Sequence, residues 1–478
     1  MMQIPSSGVN ARRDASWRTE FGATLRLAWP LALANLLQML IYAVDVFFVA
    51  RLGEFELAAS SLAIAVLSIV IWSLIGLVGM VSALIAAELG RHRFAIAEVR
   101  RSTRMALWLA IAAGLFATAL LFQADHLFAL TGQDARLSER AMDYMNIVLW
   151  ASVPMLVASV LRNFVSALGR PIFATLITAL AIVVNVAGNY ALVFGNFGAP
   201  ALGLEGSAIA TVFTAVFVML AYVAAIQADR RLRRYRIWGR FWRPEWMRLK
   251  ELVRLGLPVM FTWIAEAGLF GGAALLMGRI GASELAAHTL ALQIAALAFQ
   301  MPFGVGQAAT IRVGYHYGAG DREAIMRAGG VAITIAVLFM LGTASLMVFA
   351  PEAILGLYVA TSDPANAVLI TFATQYLLVA AAFQLVDGLQ VVLASALRGL
   401  QDTRIPMWIA IASYWLPGFG VSVALGFYTP LAGTGVWLGF LSGLTMAALL
   451  LSWRWFRREK LGLTEFAERI VEPARNFA

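Results

Sequence analysis

Three carboxylates lie inside apolar stretches long enough to cross a bilayer: Asp45 within residues 27–50, Glu266 within 255–278 and Asp387 within 370–393. Even on the lower scales an acidic side chain at mid-membrane costs about 2.5–3.5 kcal/mol, so three of them ask for a polar cavity that uses carboxylates. For any one of them the alternative is packing alone, as a carboxylate hydrogen-bonded between helices. Gln38 and Asp45 are seven residues apart, two helical turns, and Asn185 and Asn189 are four apart, one turn. Each pair therefore shares a helix face. If the two faces meet, they make a polar pocket of one carboxylate, two asparagine carboxamides and Gln38; Asn185 and Asn189 serving as interhelical glue stays equally open.

Other chemistry is poorly served. Gly304-Val305-Gly306-Gln307-Ala308-Ala309 has the look of a dinucleotide fingerprint, but it follows no strand and lies in an apolar span. A Walker A lysine motif is absent, which argues against an ATP-driven pump within the chain. His92, His126, His288 and His316 are dispersed without ligand spacing, there is no nucleophile and base arrangement, and cysteine is absent altogether. No enzyme and no cofactor is expected.

The elements that must carry the carboxylates follow from composition. Of 478 residues 61% are hydrophobic and 13% charged, and the mean hydropathy is +0.80. That is the signature of an all-α polytopic membrane protein. Twelve apolar runs can be laid out at about 27–50, 62–86, 105–124, 147–168, 172–194, 204–226, 255–278, 290–311, 329–350, 370–396, 406–428 and 434–456. Asn185, Asn189, Pro417 and Gly418 interrupt the fifth and eleventh. The runs are continuous rather than alternating, which excludes an outer-membrane barrel. Gly435, Gly439 and Gly443 share one face of the last helix and are expected to permit close packing.

Thirty of the 36 Lys and Arg fall in the two tails and alternate connections, against four in the other connections. The positive-inside tendency then puts both termini and the 227–254 linker in the cytoplasm and the chain, multi-pass, in the cell inner (plasma) membrane. The linker is strongly basic and carries Trp238, Phe241, Trp242 and Trp246. It reads as a segment facing anionic lipid, with interfacial tryptophans, rather than as a nucleic-acid site.

The chain also repeats itself. Leu25-Arg26-Leu27-Ala28-Trp29-Pro30 overlies Val253-Arg254-Leu255-Gly256-Leu257-Pro258, an offset of 228 residues that also brings Glu56-Leu57-Ala58-Ala59 onto Glu284-Leu285-Ala286-Ala287 and Gly90 onto Gly318. Two six-helix bundles follow, related by an axis along the membrane normal with a cavity between them. Expected boundaries are a tail at 1–26, an N-lobe at 27–226, the linker at 227–254, a C-lobe at 255–456 and a tail at 457–478. Both lobes sit in one chain, and a functional monomer is expected. Within the repeat Glu266 overlies Gln38, Asp45 overlies Ala273 and Asp387 overlies Ala158, so the acids are not duplicated.

The layout resembles the multidrug and toxic compound extrusion family, most closely its bacterial multidrug subfamily of cation-coupled exporters. The resemblance covers nearly the whole chain. It is carried by Val44-Asp45, by Gly203-Leu204-Glu205-Gly206-Ser207-Ala208-Ile209-Ala210-Thr211, by Glu266, and by Ala286-Ala287-His288 and Arg312-Val313-Gly314. It continues in Asp387-Gly388-Leu389-Gln390 and Arg398-Gly399-Leu400-Gln401-Asp402-Thr403. It implies antiport of drugs, often cationic, against protons or sodium ions, with Asp45, Asn185 and Asn189 in an N-lobe site and Glu266 and Asp387 in a C-lobe cation site that could hold sodium. Some relatives have a tyrosine four residues before the tenth-helix aspartate, where this chain has Phe383.

A buried carboxylate must be neutralised, and a proton, a metal cation and a cationic drug are alternative ways to do it, so competition at one site couples the fluxes. Sodium needs several oxygen ligands and Phe383 removes one, which favours protons. The rival reading is a lipid-linked saccharide flippase of the same superfamily. Such a cavity should be lined with Arg or Lys, and only Arg162 and Arg312 fall within or at the edge of spans.

Overall fold

The computed structural model describes residues 16–92, 95–360 and 363–465. The ends of both predicted tails, including Arg12 and Arg13, lie outside the described residues. Twelve helices are long and apolar enough to span a membrane. They are α1 (Trp17–Ala50), α2 (Glu54–Arg91), α3 (Ile96–Leu121), α4 (Ala135–Ala167), α5 (Ile172–Phe194), α6 (Leu204–Ala228), α7 (Trp246–Ile280), α8 (Ala282–Gly318), α9 (Arg322–Phe349), α10 (Pro364–Gly399), α11 (Arg404–Tyr428) and α12 (Ala432–Phe456). No strand occurs among the described residues. Side chains such as Phe116, Phe213 and Leu338 stand exposed on the outer helix surfaces, as lipid contact requires.

Local signals set the helix ends. Ser16 accepts from the Thr19 amide at the start of α1 and Asp321 from the Ala324 amide at the start of α9. Gly195, in the left-handed region, closes α5. Both α1 and α7 begin earlier than their apolar cores at Leu27 and Leu255, because each carries a charged, amphipathic extension that hydropathy alone does not reveal. The interruption at Pro417 does not end α11. It is absorbed as one π-helical turn, Tyr414–Phe419.

Helices α1–α6 and α7–α12 pack as two bundles, and the bundles meet mainly where α1 touches α8, where α7 touches α2 and where α2 touches α8. The repeat offset of 228 residues turns the first two contacts into each other and the third onto itself. A methyl on Gly90 would overlap the Tyr315 carbonyl oxygen, and a methyl on Gly318 would overlap that of Ala87, the residue 228 before Tyr315. Gly304 presses on the Ala32 backbone, and its counterpart Gly76 faces that of Met260 with room for ordinary contact. The fingerprint-like Gly304 and Gly306 are thus close-approach positions in α8. Acid–base pairs obey the same relation: Arg248 of α7 holds Glu88 of α2 at 2.8 Å, while Glu20 of α1 faces His316 of α8 at 3.4 Å, with acid and basic residue exchanged between the lobes. Arg312 completes the second cluster, donating to Glu20 from Nε and Nη2.

These contacts run from the end of the molecule that carries the 229–245 linker to the middle of the helices. The lobes remain joined as far as a layer formed by Trp72, Trp263 and Phe303, with ring centroids 6.1 Å apart along the series. Beyond it, towards the opposite end, none of these lobe-to-lobe contacts continues. The linker is not a free lipid-facing strap. Tyr235 and Ile237 are buried in the N-lobe core, with Trp238 and Phe241 packed against it. Trp108 donates to the Phe241 carbonyl at 3.0 Å, and Arg104 reaches the Arg240 carbonyl and Glu245. Of the four aromatics, Trp242 and Trp246 remain exposed for an interfacial role. On α12, Gly435, Gly439 and Gly443 approach Leu425, Ser422 and Gly418 of α11 so closely that a methyl on any of them would meet backbone.

Candidate functional site

Asp45 is buried on α1 and is held by α5 and α6. Asn189 and Asn185 donate to Oδ1 at 2.8 and 3.0 Å, and Thr211 donates to Oδ2 at 3.2 Å. One helical turn separates the two asparagines, so both amides reach a single carboxylate oxygen. Neither asparagine is merely glue or merely pocket: each joins α5 to α1 by solvating the acid. Every partner is neutral, and Asp45 belongs to none of the ion pairs among the described residues. Gln38 lies two turns away, exposed, and bonds to none of this set. Thr211 was hidden from sequence reasoning, although it ends the Gly203-to-Thr211 motif, because a threonine in an apolar helix carries no signal of its own.

The C-lobe acids come from α7 and α10. Asp387 is buried, Glu266 is half-buried, and the two lie within electrostatic reach of each other. Asp387 Oδ1 has no hydrogen-bond partner among the described residues. One turn further along α10, Gln390 donates to the hydroxyl of Tyr414 at 2.7 Å, at the start of the π turn of α11. Then comes Arg398, which shares a narrow cavity with Thr262, Gln390 and Thr403 and lies within electrostatic reach of Glu266. Sequence reasoning assigned Arg398 to a connection. It lies in the last turn of α10, one residue before its end, so a third arginine stands at the edge of a span. Arg312 conversely leaves the cavity inventory, being engaged with Glu20 at the closed end. Arg162 donates to Asn35 within the N-lobe.

Phe383 is buried among rings rather than beside a polar pocket. It meets Phe270 at 6.4 Å, Trp437 at 5.7 Å and Phe440 at 6.1 Å between centroids. It stands one turn from Asp387, as Phe270 does from Glu266. No cluster of three or more His, Asp or Glu suited to a metal occurs among the described residues. Any sodium ligands beyond the two acids would have to be neutral oxygens.

Comparison with known proteins bears on the family and the fold. The family model described as MatE matches residues 30–191 and 258–423, two segments whose starts are separated by the repeat offset. The chain is 40% identical over 460 residues to a probable multidrug resistance protein NorM of Mesorhizobium japonicum, covering 96% of this chain and 98% of that one. It is 36% identical to a protein of the same description from Pseudomonas putida, covering 93% and 96%. Its fold matches the crystal structure of a eukaryotic MATE transporter with a TM-score of 0.83 at 18% identity, covering 94% of this chain and 98% of that one. It also matches an outward-facing conformation of a multidrug resistance MATE family transporter with a TM-score of 0.82 at 23% identity, covering 94% and 97%. With a duplicated family match over most of its length, twelve spanning helices in two related bundles and relatives near 40% identity from end to end, the chain belongs to the MatE family.

Proposed function

We propose that this chain is a secondary active multidrug exporter that antiports organic, often cationic, compounds against an inward flow of cations by alternating access. The observation that carries the reading is Asp45, a buried carboxylate surrounded only by neutral donors from Asn185, Asn189 and Thr211. Such a group is completed by a proton, a metal ion or a bound organic cation, and only one of these at a time. The relatives described as multidrug resistance proteins support drugs as the cargo. A flippase cavity would need free cationic side chains, whereas Arg312 is tied to Glu20, Arg162 to Asn35, and Arg398, in the last turn of α10, faces the acid Glu266.

The basic end, with the linker, faces the cytoplasm, so this conformation is the one closed on the cytoplasmic side. Protons are the favoured coupling ion, since Phe383 borders Asp387 with an apolar ring and Glu266 and Asp387 stand without a third acid. Cation entry at Glu266 and Asp387, or at Asp45, displaces drug and permits closure of the outer cleft; the ion then leaves at the cytoplasmic end and drug binds again. Proteoliposomes with a pH gradient and a sodium gradient imposed separately test this. The expected result is drug movement driven by the pH gradient at clamped sodium. Transport driven by sodium alone and indifferent to the pH gradient refutes proton coupling, and no gradient-driven drug movement at all refutes the exporter.

A further inference from the structure

On the side of the C-lobe acids away from the basic end lies a cluster the function above does not use. His288 of α8, Tyr376 of α10 and Trp437 of α12 are each almost fully buried. Their ring centroids are 5.6 Å apart from His288 to Trp437 and 6.4 Å from Tyr376 to Trp437. Four polar atoms here, both ring nitrogens of His288, the Tyr376 hydroxyl and the Trp437 indole nitrogen, have no partner among the described residues. Leaving one such group unpaired costs about 1–3 kcal/mol, and three residues doing so side by side mark a place for water. The set is complementary for that purpose: the indole only donates, the neutral imidazole offers one donor and one acceptor, and the phenol does both. The Tyr376 hydroxyl also lies against Gly433, where any side chain would overlap it.

Beneath the cluster, towards the carboxylates, Phe270, Phe383 and Phe440 form a dry layer with centroids 5.3 to 6.4 Å apart. Trp437 and His288 rest on it, at 5.6 and 6.1 Å from Phe440. On the outer side Glu284, one turn before His288, lies within electrostatic reach of Tyr376. A titratable path thus runs from Glu284 through His288 to Glu266 and Asp387, interrupted by one apolar layer.

We propose that His288, Tyr376 and Trp437 hold buried water and act as the outer station from which protons reach Glu266 and Asp387. His288 takes a proton at one ring nitrogen and releases one from the other to the next water, so the ring carries no net gain and resets by exchanging tautomers. The phenyl layer passes a proton along a transient file of water and excludes a hydrated metal ion, which would have to shed its shell among rings. The proposal rests on the proton-coupled reading of the C-lobe.

His288→Phe retains a ring against Trp437 and Phe440 but removes the relay, and His288→Gln keeps water ligands without one. Both are expected to slow pH-gradient-driven drug transport in proteoliposomes at least tenfold while equilibrium drug binding stays within twofold. Tyr376→Phe, which removes one oxygen, should slow it several-fold and guards against misfolding of the histidine variants. Transport at the wild-type rate by either folded histidine variant overturns the relay. Wild-type protein that shows no pH-driven transport overturns the underlying functional reading instead, whatever the variants do.

Discussion

Exchanging Asp45 for asparagine is a nearly shape-neutral change, because the new Oδ1 can accept from Asn185 and Asn189 while the new Nδ2 donates to Thr211, whose hydroxyl is also within reach of the Ser207 carbonyl. Asp45→Asn is therefore expected to insert and fold with a thermal midpoint within a few degrees of wild type, yet to lose at least tenfold in drug efflux. Melting of the purified protein and efflux from cells separate the two effects; wild-type efflux would reassign the carboxylate to packing. Thr211→Val removes one neutral donor, about 1 kcal/mol, and should leave efflux reduced by less than tenfold. Helical periodicity put Asn185 and Asn189 on one face of α5, but that this face meets Asp45 came from the family resemblance, and Gln38, paired with Asp45 by the same periodicity, lies outside the set. Thr211 and Arg398 could not be read from the sequence, since their importance lies in what reaches them from other helices. Phe383 was legible as a departure from relatives but not as a member of a ring cluster built from α7, α10 and α12.

At the scale of elements, hydropathy located all twelve helices but missed polar extensions of several of them at both ends, whose charged residues look like loop until a partner helix is placed beside them. Glu20 and Arg248 are the clearest cases, each being meaningful only against α8 or α2. The linker was legible only in part for a related reason: alternating arginines and aromatics mark a basic segment but do not tell which rings, here Trp238 and Phe241, fold onto the N-lobe beside Trp108 and Arg104. Glycines carried more information. Gly90 and Gly318 were visible as a repeated pair, and the structure turns them into the closest approaches between lobes. Gly90→Ala is expected to push α2 from α8 at the Tyr315 carbonyl and to disfavour the form closed at the basic end. Spin labels at Glu98→Cys and Arg322→Cys, in an otherwise cysteine-free chain, should report a longer and broader distance distribution; an unchanged distribution would show that the contact is easily relieved.

For the molecule as a whole, the closed end is secured by two buried charge clusters, Glu20 with Arg312 and His316, and Glu88 with Arg248. Removing one partner of a buried pair leaves an uncompensated charge and costs about 3–5 kcal/mol, here charged against this conformation rather than against folding alone. Arg312→Gln should thus shift the labelled population towards the form open at the basic end, and Glu20→Gln in the same chain should restore part of the closed population. Single variants matching the double variant would exclude a direct coupling. The orientation has its own test: cysteines at Arg101 and Arg234 should be labelled only from the cytoplasm and those at Ala199 and Pro364 from outside, and labelling of Arg234→Cys in intact cells from outside would invert the assignment. The corresponding site at Ala478 lies outside the described residues.

The two-fold correspondence of Gly90 with Gly318 and Ala87 with Tyr315 has a consequence for assembly. Each half presents to the other a surface related to the one it receives, which is how the subunits of a symmetric dimer meet. Covalent continuity between the halves is then dispensable. The linker up to Phe241 folds with the first half, so a cut between Arg243 and Pro244 severs only the stretch leading into α7. Two fragments, 1–243 and 244–478, co-produced in one membrane, should find each other and recover export, whereas either fragment alone should not.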